Sequence, residues 1–133
     1  MLILNQFIRF GLVGTVGFLV DSGVLTILIK FTERGPFLSR IISYMFSATV
    51  TWYLNRNITF KSYKQGSLRG EWIKYIFANL FGALLNYGVY AVMIIRVPLV
   101  NAYPIIGVAA GSIAGMMVNF TMSRVYVFHV RDF

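Results

Sequence analysis

The chain has 133 residues, 58% of them hydrophobic and 12% charged, with a formal net charge of +8 and no cysteine. A soluble domain carries about 25% charged residues, so the composition excludes one, and the missing cysteines exclude disulfides, thiolate metal sites and thiol catalysis. The surplus Lys and Arg lie beside the ends of long apolar runs, a placement that points to membrane topology and anionic lipid, and no nucleic-acid partner is expected.

The first apolar run, 10–29, follows Arg9. About twenty apolar residues cross a hydrocarbon core about 30 Å thick. The run is too long for a signal-peptide core and has no small-residue cleavage site, so it is expected to stay as a helix. Asp21 lies within it, about 18 Å past Arg9 at 1.5 Å per residue. A carboxylate at that depth must be paired, wetted or protonated, and such residues are usually functional. Gly14 and Gly17 precede it at turn spacing, which marks a close-packed or cavity-facing side.

The second run, 37–54, opens behind Pro36 and carries Ser39, Ser43, Ser47, Thr51 and Asn55 at every fourth position. Small residues at this spacing let helices approach closely in lipid. Four residues overshoot one turn by about 40°, so the stripe winds around the helix. It serves close packing or lines a polar path, the latter mainly at its Asn end. Trp52 and the aromatics near the other helix ends fit an interfacial belt. The polar stretch 55–74 follows, with an Asn57-Ile58-Thr59 sequon that the expected topology makes accidental.

The third run, 75–95, contains Asn86, and the fourth, 103–122, contains Asn119. The links 30–36 and 96–101 are short and contain Pro, whereas 55–74 is long. Arg9, Arg56, Lys61, Lys64, Arg69, Lys74, Arg124 and Arg131 fall on the side of the termini and the middle loop, against Lys30, Arg34, Arg40 and Arg96 opposite. The positive-inside rule then places both termini in the cytoplasm. The expected fold is an all-α integral membrane protein of four transmembrane helices, forming one domain over 1–133.

The halves repeat. A shift of 65 lays the first run on the third: Gln6-Phe7-Ile8-Arg9-Phe10 meets Glu71-Trp72-Ile73-Lys74-Tyr75, Gly17 meets Gly82, and Asp21 meets Asn86. A shift of 68 lays the second on the fourth: Pro36 meets Pro104, Asn55 meets Ser123, Arg56 meets Arg124, and Phe60 meets Phe128. The expectation is two parallel helical hairpins, about 5–60 and 70–128, joined by a linker at about 61–70. The three-residue difference in offset falls in the second short link.

Arg9, Arg56, Lys74 and Arg124 mark the cytoplasmic ends of the four helices. A ring of them is the expected phosphate site, because guanidinium and ammonium groups hold phosphate oxygens. Asp21 and Asn86, with Asn55 and Asn119, are the expected contacts to a hydroxyl-rich group, a cation or a coupling proton. Arg40 is a secondary candidate for an outer phosphate site, and Trp52 flanks the inner one. No His, Cys, Asp or Glu cluster is present, so neither metal, cofactor nor enzymatic reaction is expected.

Arg9-Phe10-Gly11-Leu12-Val13-Gly14, then Asp21, then Asn55-Arg56-Asn57-Ile58-Thr59-Phe60 resemble the opening and mid-chain motifs of the GtrA-like membrane proteins. The order and spacing span nearly the whole chain. Ile58 stands where that family commonly has Trp, and Ser123 replaces Asn before Arg124. The resemblance implies movement of polyprenyl-phosphate-linked sugars, such as undecaprenyl-phosphate glucose, to the outer leaflet of the prokaryotic cell membrane. It also implies glycosyltransferase partners that load and consume the lipid. Self-association is compatible with so small a bundle. Two other classes remain open at this stage: a proton-coupled multidrug exporter built on Asp21, and a non-transporting subunit of a glycosyltransferase complex.

Overall fold

Apolar runs that cannot leave backbone amides unpaired in lipid have to become helices. The computed structural model describes residues 2–33, 36–60, 67–103 and 105–130, with the side chains of 36, 37, 40, 105 and 108 outside that set. Arg34, Lys61, Lys64, Pro104 and Arg131 also lie outside it. Among the described residues every regular element is helical: α1 (Leu2–Phe31), α2 (Pro36–Leu54), α3 (Leu68–Arg96), α4 (Pro98–Ala102) and α5 (Ile105–Met122). Ser67 caps α3, its hydroxyl accepting from the Gly70 amide at 3.1 Å.

Two boundaries differ from the sequence reading. α1 and α3 begin several residues before their apolar runs, because helical hydrogen bonding continues through the interface where hydropathy has already fallen. Within link 96–101 Pro98 opens the five-residue α4. This is the link in which the offset between the halves changes.

α1 and α3 are each long and apolar enough to cross a bilayer. α2, 19 residues, lies along α1, and α5, 18 residues, lies along α3. The polarity of the bundle is inverted relative to a soluble protein. Leu12, Phe18, Leu19, Phe77, Leu84, Ile95 and Ile113 are exposed, whereas Gln6, Ser39, Ser43, Asn55, Glu71, Ser123 and Arg124 are buried. Such an apolar exterior belongs in lipid. This is an all-α membrane protein.

Burial follows the repeat. α1 buries Gln6, Phe10, Val13 and Gly17, and α3 buries Glu71, Tyr75, Ala78 and Gly82, each pair 65 positions apart. α2 and α5 both run on into a π-helical turn, at Asn55–Thr59 and at Ser123–Val127, 68 positions apart. Phe60 and Phe128 follow these turns and stack on each other, centroids 4.9 Å apart. Two equivalent residues in contact must straddle the axis relating them, so this pair marks a pseudo-twofold axis. Phe10 and Phe120 complete the aromatic core there. Beyond it, His129 takes a left-handed φ of 54°, a conformation His adopts more readily than most residues. Past Gly17 and Gly82, by contrast, nothing on α1 or α3 is buried. α2 and α5 bury Ser39, Ser43, Gly107 and Gly111 toward the other end.

Candidate functional site

Helix contact in each hairpin involves glycine. Ser47 Oγ donates to the Gly17 carbonyl at 2.7 Å, and a Cβ on Gly17 would overlap the Thr51 methyl. In the second hairpin the equivalent Gly82 lies under the Asn119 amide, which a Cβ would overlap, and the Gly82 carbonyl faces Gly115. Further out, Gly111 meets Asn86: an added Cβ would stand 2.5 Å from both its carbonyl oxygen and its Oδ1. The small-residue stripes therefore do close-pack helices, within each hairpin.

Between the hairpins lies a cavity of about 590 Å³, walled by α1, α2, α3 and α5 and by Asn55. That is within the range of about 300–1,000 Å³ usual for small-molecule sites. Asp21, Asn86, Asn55 and Asn119, separated by up to 98 positions in the chain, all line it. Tyr44, Tyr75, Asn79 and Ser112 add polar atoms to the wall, and Gly11, Gly14 and Gly17 leave the α1 side low.

The four predicted polar residues differ in their surroundings. Asn55 is 1% exposed and already occupied. Thr59 Oγ1 donates to its Oδ1 at 2.8 Å, and its Nδ2 donates to the Tyr75 hydroxyl at 2.9 Å. That hydroxyl donates to Thr51 Oγ1 at 3.0 Å, which donates to the Ala48 carbonyl at 3.0 Å. Asn55 therefore belongs to a buried chain that ties α3 to α2. Asn119 presses its Oδ1 on Gly82. Asp21, half-buried, and Asn86 stand higher on the cavity wall, and Tyr44 on α2 lies within electrostatic reach of Asp21.

The four basic residues of the expected ring have different partners. Arg56 pairs with the buried carboxylate of Glu71, which also accepts from Trp52 Nε1 at 3.0 Å. Arg124 is 1% exposed and donates from Nε to Gln6 Oε1 at 2.7 Å. Lys74 lies over the Tyr126 ring, 5.4 Å from its centroid, and exposed Arg9 donates to the Ile58 carbonyl at 3.3 Å. Where dielectric screening is weak, a guanidinium binds the nearest acceptor instead of waiting for a ligand. Arg40 lies in α2 with its side chain outside the described set.

Glu71 and Gln6 are the partners that sequence reasoning missed, although their alignment was visible. Gln6 is to Glu71 as Arg124 is to Arg56, so the two bonds are one crossed contact made twice between the hairpins. Among the described residues no three His, Asp or Glu side chains gather to hold a metal. The family model described as GtrA/DPMS, transmembrane domain, matches residues 9–128. None of the curated proteins matches the chain.

Proposed function

This chain belongs to the GtrA/DPMS transmembrane-domain family, and on that premise we propose that it carries a polyprenyl-phosphate-linked monosaccharide across the cytoplasmic membrane. Undecaprenyl-phosphate glucose, destined for cell-envelope polysaccharide, is the type of substrate intended. In this reading α1, α2, α3 and α5 are four spans, with both termini cytoplasmic. A membrane glycosyltransferase loads the lipid, and no bond is made or broken during its passage.

The observation that supports the reading is a cavity between the hairpins whose wall includes Asp21, Asn86, Asn79 and Ser112, in a bundle whose exterior is apolar. Asp21 and Asn86 offer acceptors and donors to sugar hydroxyls, while the isoprenoid stays in the lipid. Arg9, which is exposed, and Lys74, which lies over the Tyr126 ring, receive the phosphate. Arg56 and Arg124 hold the inner end together.

The test is translocation of labelled undecaprenyl-phosphate glucose in proteoliposomes. Asp21→Asn and Arg9→Ala are each expected to slow it about tenfold, the order of one charge-assisted hydrogen bond. Unmodified rates for both variants refute the site. Export of a cationic dye under a proton gradient, without lipid movement, identifies a drug exporter instead.

A further inference from the structure

Glycine weakens a helix, so a transmembrane helix that carries one usually gains close packing in return. Gly17, Gly82 and Gly111 fit that account, each with a neighbouring side chain where a Cβ would stand. Gly14 does not. Nothing lies within 4 Å of the position its Cβ would take, and the residue lines the cavity. It lies seven residues before Asp21, on the same face of α1. Its equivalent in the second hairpin, Asn79, also lines the cavity but folds its Nδ2 onto the Tyr75 carbonyl at 2.9 Å. At this level the cavity has an amide on one side and bare backbone on the other.

We propose that Gly14 sets the size of headgroup the cavity accepts: its missing side chain is room for a sugar ring held between α1 and α3, within reach of Asp21. The inference rests on the translocation reading for the identity of the headgroup. The geometry supporting it does not depend on transport. A Cβ added at Gly14 meets open space on the cavity wall, so a substitution there takes up ligand volume without a clash at the Cβ.

Gly23 provides the control. It too has nothing within 4 Å of the place a Cβ would occupy, it is on the same helix, and it does not line the cavity. Gly14→Ala, Gly14→Leu and Gly23→Leu are compared in two assays on the full chain. One is proteoliposome translocation of undecaprenyl-phosphate glucose. The other is thermal stabilisation of the detergent-solubilised protein by a ten-carbon isoprenyl phosphate, with and without an attached glucose.

Gly14→Leu is expected to cut translocation by about tenfold or more, since one surplus methylene in an apolar pocket already discriminates by about that factor. It should abolish the stabilisation that depends on glucose and keep the response to the bare isoprenyl phosphate. Gly14→Ala should fall between it and the wild type, with Gly23→Leu at the wild-type level in both assays. If lipid moves and Gly14→Leu behaves like Gly23→Leu, the size assignment is wrong and the transport reading survives. If glucose-dependent stabilisation is lost in Gly14→Leu but the wild type moves no lipid, transport is wrong and the assignment stands. Absence of both responses in the wild type overturns both.

Discussion

Gly82 and Tyr75 show how much of this bundle depends on single atoms. Gly82→Ala would drive a methyl into the Asn119 amide, an overpacking that costs about 1–3 kcal/mol unless the amide moves. Thermal unfolding in detergent should show the loss, and Asn119→Ala in the same chain should recover most of it. Tyr75→Phe removes the hydroxyl linking Asn55 to Thr51. Phe10 occupies the equivalent position, so a phenyl ring suits the fold, but the stranded Asn55 amide should cost about 1–3 kcal/mol. Asn55→Ala combined with Tyr75→Phe should then cost less than the two single losses added, as a double-mutant cycle would measure. The sequence marked Asn55 as the polar end of the α2 stripe; its engagement with Tyr75 depends on a helix 20 residues away.

At the scale of elements, the crossed contacts from the π-helical turns to the starts of α1 and α3 join the hairpins. One is ionic, Arg56 with Glu71, and the other has a neutral acceptor, Gln6, for Arg124. Since the second contact operates with an amide, Glu71→Gln should keep the fold with a modest loss of stability. Glu71→Ala strands Arg56 and should cost about 3–5 kcal/mol, readable as a lower unfolding temperature at equal detergent concentration. The helices themselves were legible from hydropathy, as were their approximate ends. Two features were not: the helical form of 98–102 and the π-helical turns. Both depend on where backbone hydrogen bonds find acceptors, and side-chain type specifies that only weakly.

For the whole molecule, the absence of cysteine makes topology directly measurable. With Ser62→Cys and Asn101→Cys introduced singly, a membrane-impermeant maleimide added outside intact cells should label only the second if both termini are cytoplasmic. The reverse pattern would invert the proposed direction of the bundle. By itself the sequence determined the solvent this chain lives in, the helical state that solvent demands, and the offsets of 65 and 68, because all three depend on residue type and order. Only the tertiary structure decided what each polar group faces. Asp21 and Asn86 face a cavity, Asn55 is tied into a hydrogen-bond chain, and Arg56 and Arg124 clamp the hairpins. The physical reason is that a buried polar group takes the nearest acceptor or donor, and nearness across four packed helices is not written in any one of them.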